Sequence, residues 1–163
     1  MEIKFKQYSK SDFNDLRSCM EGLQDYIVIT DPLKRLRRPK NYGKTYTDNL
    51  IKKVKTQDGS IILAYDDKKV VGCIAGVIEK QSKDDLLECV PTKAGRILEL
   101  FVDDRYRNQG IGKKLMKKIE KYIEQNGCDL IRVEVFAPNR TAHQFYNRLG
   151  YSDRAIDLIK PIK

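Results

Sequence analysis

Residues 95–127 read GRILELFVDDRYRNQGIGKKLMKKIEKYIEQNG: an apolar run, a turn holding two glycines one residue apart, then a helical repeat. The run from Gly95 to Val102 is strand-like. After the turn, Ile111, Leu115, Ile119 and Ile123 recur every four residues, so one stripe of the helix is apolar and its outer face is covered by lysines. Gly127 suits the C-terminal cap of that helix. A strand passing so directly into an amphipathic helix calls for a sheet on which the helix can bury its stripe.

The remaining chain supplies that sheet. IKFKQY alternates apolar and polar residues as an opening strand, and Ser9 or Ser11 offers a cap for a helix carrying Phe13, Leu16, Met20 and Leu23. Residues 25–41, broken by Pro32 and Pro39, read as a loop, and 43–56 as a second helix with Tyr46, Leu50 and Val54 at four-residue spacing. Two β-rich runs, 60–65 and 69–79, flank the polar turn Asp66-Asp67-Lys68, a hairpin signal. A charged loop over 81–93 precedes the central strand. Beyond the glycine-turn helix come a strand in DLIRVEVFA, a short helix in NRTAHQFYNRLG and a last strand in YSDRAIDLIK. This β-α-α-β-β-β-α-β-α-β order predicts a layered α/β (α+β) fold with parallel and antiparallel pairs. With no repeat, low-complexity tract or linker, residues 1–163 read as a single domain.

Composition narrows the chemistry. The chain has 163 residues, 40% hydrophobic and 34% charged, as expected of a soluble globular protein. No apolar run approaches the roughly 20 residues that span a bilayer, and the start lacks a secretion signal, so a cytoplasmic protein is expected. Cys19, Cys73, Cys89 and Cys128 are scattered and His143 is the only histidine, which argues against a metal site and for free thiols. The net charge of +9 concentrates in KRLRRPK, Lys34 to Lys40. No aromatic residue interleaves this patch, so a solvated connection is favoured over a nucleic-acid surface.

A strand, a glycine turn and a helix start form a physical anion site, because first-turn amides lack intrahelical acceptors and the helix dipole favours negative charge there. The nucleotide-hydrolase phosphate loop fails, since Lys114 follows Gly112-Lys113 and no glycine stands five residues earlier. The dinucleotide fingerprint fails as well, because Leu115 occupies the place of its third glycine. What stands is Arg-x-x-Gly-x-Gly, met by Arg107, Gly110 and Gly112. LFVDDRYRNQGIGKKLM resembles the acyl-CoA-binding segment of the GNAT superfamily of N-acetyltransferases. NRTAHQFYNRLGY is similar to that family's late helix, with matches at Asn139, Ala142, Tyr146, Gly150 and Tyr151. One departure is Asp103-Asp104-Arg105, where a proline is common.

The resemblance implies a GNAT-like mixed, mostly antiparallel central β-sheet, helices on both faces, and a splayed parallel pair of strands ending near Val102 and Phe136. Acetyl-CoA would lie in the gap as cosubstrate. Its pantetheine arm would pair with Leu100, Phe101 and Val102 like an added strand. Its pyrophosphate would meet the segment Arg107, Asn108, Gln109, Gly110, Ile111, Gly112, with Lys113 adding charge, although this lysine also begins the wet helix face. Asn139 would bond the pantetheine amides or cap its helix. The implied reaction is direct attack of a primary amine on the thioester, which requires the neutral amine, an acid for the leaving thiolate and a base or water chain. Tyr146 matches the family's acid by position, against the alternative of a core tyrosine. Glu99 is the candidate base; by period two it shares a face with Phe101 and opposes Leu98 and Leu100. His143 reads as a helix-surface residue.

The acceptor amine, a small molecule or a protein, would be shaped by 24–45 and 81–93. Asp84, Asp85 and Glu88 would attract a cation, Lys34 to Lys40 an acidic group. The alternative is a non-catalytic acyl-CoA sensor or a nucleic-acid-associated basic module, neither of which needs Tyr146. Relatives often form homodimers, but no interface signal is visible in this sequence.

Overall fold

The computed structural model describes residues 2–162. Its sheet holds five strands in chain order: β1 (Ile3–Gln7), β2 (Ser60–Asp66), β3 (Lys69–Glu79), β4 (Ala94–Val102) and β5 (Leu130–Val133). The first four pair antiparallel and β4 with β5 pairs parallel. Helices α1 (Phe13–Thr30) and α2 (Tyr42–Thr56) cover one face. Helices α4 (Ile111–Gln125) and α5 (Arg140–Arg148) lie on the other, and the one-turn α3 (Asp85–Glu88) sits in the β3–β4 connection. The mixed sheet with helices on both faces agrees with the expected fold class.

Strand alternation sorts the core into two layers. From β2, Ile61 and Leu63 turn toward Leu16, Met20, Leu50 and Val54 of α1 and α2. Ile62 and Ala64 turn the other way, toward Ile111, Leu115, Ile119 and Ile123 of α4. The four-residue repeat of α4 is therefore its buried stripe, and Leu115 and Ile119 are fully buried. The hairpin closes on Asp67-Lys68, with Asp67 in the left-handed region at φ 52°.

Four local expectations change. Helix α1 runs on to Thr30, through residues read as loop; it stops at Asp31, before Pro32. The 81–93 connection is not all loop, because it holds α3. The strand expected to reach Phe136 ends at Val133. Residues 151–160 form no strand: Ile156 and Leu158 are 77% and 87% exposed, so their alternating pattern meets no sheet edge here.

The period-two reading of β4 also needs correction. Ala75 pairs with Glu99, but Gly76 pairs with Ile97, leaving Leu98 as the extra residue of a β-bulge. Ile97 and Leu100 pack toward α4, whereas both Leu98 and Phe101 pack toward α1 and α2. Leu98 thus does not oppose Glu99, because the bulge breaks the alternation at that point.

Helix α4 can lie this close to β4 because residue 95 is glycine. A Cβ there would stand 2.8 Å from Ile123 Cδ1, too near for either group to keep its place. Gly95→Ala should therefore lose about 1–3 kcal/mol to overpacking. In a thermal-unfolding double-mutant cycle, Gly95→Ala with Ile123→Ala should cost less than the sum of the singles.

Candidate active site

The bulged strand leads to a cleft. Parallel pairing of β4 with β5 stops at Ile97 with Val133, while β4 continues five residues to Val102. Over that stretch, β3 still holds one edge of β4, with Gly72 opposite Val102. The other edge, including Leu100, Phe101 and Val102, has no strand beside it among the described residues. An extended ligand can complete such an edge with main-chain hydrogen bonds.

The cleft ends at the start of α4. Gly110 is the N-cap with φ 79°, a left-handed conformation that glycine adopts without strain. Asn108 is left-handed too, at φ 61°. The first intrahelical bond runs from the Lys114 amide to the Gly110 carbonyl at 3.0 Å, so the amides of Ile111, Gly112 and Lys113 precede it and point outward. At Gly112 a Cβ would meet the Phe145 ring at an ordinary 3.5 Å, so neither the protein's own packing nor its backbone shape calls for glycine there. The turn thus offers a positive helix end with no side chain over it, which fits a pyrophosphate. Gln109 spends its side-chain amide on the Arg105 carbonyl, 3.1 Å away. Lys113 is exposed on the lysine face.

Arg107 points elsewhere than the turn amides. Its Nε donates to the Val102 carbonyl at 3.1 Å, it pairs with Asp104 at 2.6 Å, and its guanidinium lies 4.7 Å over the Tyr26 ring. The Tyr26 hydroxyl in turn reaches Asn139 Oδ1 at 3.4 Å. Asn139 caps α5, accepting from the Ala142 amide at 3.1 Å. Its capping role is therefore real, and its NH₂ group remains for another partner. Tyr26 was not singled out in the sequence, because it lies in the stretch read as loop.

The acid–base candidates lie on α5 and on β4 itself. Tyr146 is 7% exposed, packed edge-on against Phe145 and Tyr151 at 5.3 and 5.7 Å. Burial first, then the charge of Glu99, push its phenol above the usual range and keep it protonated at neutral pH. Glu99 accepts a short hydrogen bond from the Tyr46 hydroxyl. Burial raises its carboxyl to about 7, with the Tyr46 bond and the Lys53 charge working against that rise. The Glu99 charge also reaches Tyr42, raised to about 12 mainly by burial, and the buried Cys73 thiol. The Glu99 charge is felt at Tyr146, and Tyr46 is an unforeseen hydrogen-bond partner of Glu99. Its four-residue spacing with Leu50 and Val54 signalled core, and nothing local revealed that its hydroxyl reaches β4.

His143 is at the surface, its Nε2 2.6 Å from Asp153. The four cysteines are free thiols, and among the described residues no cluster of three His, Cys, Asp or Glu side chains is placed to hold a metal ion. No helix there is long and apolar enough to cross a membrane.

Residues 27–151 match the model of the acetyltransferase (GNAT) family. The chain belongs to that family. Among its GNAT relatives, an uncharacterized N-acetyltransferase of Methanocaldococcus jannaschii is 28% identical over 121 residues, covering 73% of this chain and 49% of that protein. The chain thus spans about half the length of that relative. An uncharacterized N-acetyltransferase of Archaeoglobus fulgidus is 29% identical over 154 residues, covering 88% of this chain and 89% of the other. The crystal structure of a mutant Bacillus halodurans protein shares the fold, with TM-score 0.83, 18% identity and coverage of 98% and 99%. The family uses acetyl-CoA, and the open β4 edge and the bare α4 start fit its pantetheine and pyrophosphate.

Glu99 carries a stability consequence. With its carboxyl raised from 4.5 to about 7, the folded state holds a proton that the unfolded chain has already released in that window. Stability therefore falls as pH rises from 4.5 to 7. Glu99→Gln removes this dependence while keeping an acceptor for Tyr46. Its Tm should exceed the parent's at pH 8 by about 2–4 °C, the shift made by ~1 kcal/mol in a protein this size, and the gap should close near pH 4.5.

Proposed function

We propose that this GNAT protein is an N-acetyltransferase that moves the acetyl group of acetyl-CoA to a primary amine by direct attack. The observation that carries this reading is the open edge of β4 running to a bare helix start, with Glu99, whose charge reaches the buried Tyr146 phenol, on that same strand. In this reading the pantetheine arm pairs with Leu100, Phe101 and Val102. The pyrophosphate sits on the amides from Gly110 to Lys113, with Asn108 and Gln109 shaping the turn. Arg107 leaves the Val102 carbonyl to make room, and the NH₂ group of Asn139 serves a pantetheine carbonyl. The same reading makes the protein cytoplasmic.

Each proton has a destination. An alkyl amine with an ordinary pKa of about 10.4 arrives protonated, so it must lose a proton before its lone pair is available. Glu99, ionised above about 7, takes the proton directly or through one water. The nitrogen then bonds to the acetyl carbonyl carbon, the carbon–sulfur bond breaks, and the nitrogen releases its second proton to water, leaving the neutral amide. Tyr146 donates its phenolic proton to the departing thiolate and is reprotonated from solvent. Tyr46 donates to the Glu99 carboxylate and holds its orientation.

Two variants separate these roles. Tyr146→Phe should lower kcat by about 10²–10³-fold, the scale of a lost general acid, while acetyl-CoA affinity by calorimetry stays near the parent value. Tyr46→Phe withdraws a donor that stabilises the Glu99 carboxylate, so the acidic limb of the kcat/KM profile should move from near 7 to higher pH. An unmoved limb would remove Glu99 from the base role. An amine panel read by free-CoA release tests the reading as a whole, beside a Gly110→Ala/Gly112→Ala protein expected to lose acetyl-CoA binding. Tight acetyl-CoA binding without release from any amine would favour the sensor alternative.

A further inference from the structure

The α1–α2 connection carries five cations in seven residues, Lys34, Arg35, Arg37, Arg38 and Lys40, and all are exposed. In sequence it looks like a solvated linker. In the fold it is pinned. The Asp31 carboxylate accepts the backbone amides of Leu33, Arg35 and Leu36 at 3.0, 2.6 and 2.9 Å. The Gln24 side chain holds the Arg37 carbonyl at 2.9 Å, and Arg38 is tied to Asp25. Asp31 thus spends its oxygens on the backbone of the loop, and Asp25 answers only one of the five cations.

This pinned loop borders the reaction centre. Pro39 and Asn41 at its end join Tyr42, Thr45, Tyr46 and Asn49 of α2 around an open cleft of about 180 Å³. Tyr42 and Tyr46 stack at 5.0 Å, and the Tyr46 hydroxyl bonds Glu99. The cleft lining itself is neutral: two stacked rings, a proline, two asparagines and a threonine. The lining reaches Glu99 through the Tyr46 hydroxyl and the basic loop through Pro39, so an acceptor seated in it has a carboxylate toward one side and the loop's cations toward the other. Two charges of opposite sign at the two ends select a molecule with the converse pair.

Resting on the acetyl-transfer reading above, we propose that this cleft is the acceptor subsite and that it takes a primary amine bearing an anionic group outward of the amine. An amino carboxylate and the N-terminus of an acidic peptide share that chemistry. The aromatic pair contacts the body next to the amine, the ammonium is drawn to Glu99 before it gives up its proton, and the anion faces the side of Arg37 and Lys40. A polyamine or a lysine-rich tail places its second charge against the loop and is rejected.

The test compares kcat/KM by free-CoA release for peptides identical except at positions two and three, carrying Asp-Asp, Asn-Asn or Lys-Lys, and for free aspartate beside asparagine. The acidic peptide should exceed the basic one by about tenfold or more, since several exposed charge pairs each contribute modestly, and 0.5 M salt should compress the ratio. The aspartate arm tells whether a free amino acid suffices or a peptide backbone is required. Arg37→Glu/Lys40→Glu, which alters no group assigned to chemistry, should reverse the order of the peptides and leave acetyl-CoA affinity unchanged. Equal rates on the Asp-Asp and Lys-Lys peptides would overturn the inference and leave the transferase reading standing, as would an acidic preference that the charge reversal does not move. No release from any member, with acetyl-CoA still bound, would overturn both.

Discussion

From Glu99 to Val102, strand β4 keeps its antiparallel partner β3 and has no β5 beside it, and the chemistry proposed for this protein depends on that half-finished strand. A sheet edge in the middle of a fold is costly unless something meets its donors and acceptors. Here the Arg107 side chain covers one carbonyl, at Val102, and an extended ligand can cover others. The opening is held from both sides. Helix α4 packs tightly over β3 and β4 through Ile119 and Ile123, while α5 is anchored by Tyr146 in the core and by the Tyr151 bond to Glu120 of α4 at 2.9 Å. Beyond Ile97 and Val133 the two strands no longer pair, and β4 runs on against β3 alone.

The same separation explains the electrostatics. Glu99 lies where β4 bulges, so it faces α2 with little water around it, and that loss of hydration raises its carboxyl more than Tyr46 and Lys53 lower it. Tyr146 is raised by burial too, and further by the Glu99 charge. One environment thus holds a carboxyl that can release its proton near neutrality and a phenol that keeps its own. Groups poised on opposite sides of neutral pH suit acid and base roles in one step.

Much of this was legible in the residues. The β4–turn–α4 unit, the hairpin at Asp67-Lys68 and the buried stripe of α4 follow from apolar spacing and turn chemistry, which are local. Arg107 to Gly112 announced a glycine turn at a helix start, and the left-handed φ of Gly110 at the N-cap of α4 shows that turn. Less legible were features decided by distant partners. Helix α1 extends to Thr30, where Tyr26 meets Arg107 and Asn139, contacts separated by more than 80 residues of chain. Residues 151–160 have the alternation of a strand, but alternation names a preference and not a partner. Tyr46 read as a core residue because helical spacing reports which face is covered and is silent about what covers it.

The sequence by itself determined most of the succession of strands and helices, the apolar stripe of α4 and the bare helix start, because each rests on interactions between residues near one another in the chain. Only the tertiary structure decided where β5 lets go of β4, how the bulge at Leu98 turns Glu99 toward Tyr46, and that the basic connection is pinned at the mouth of a neutral cleft. Those outcomes depend on packing between elements tens of residues apart. There, one extra residue in a strand or one carboxylate turned on a loop backbone settles which side chains meet, and no local pattern encodes that choice.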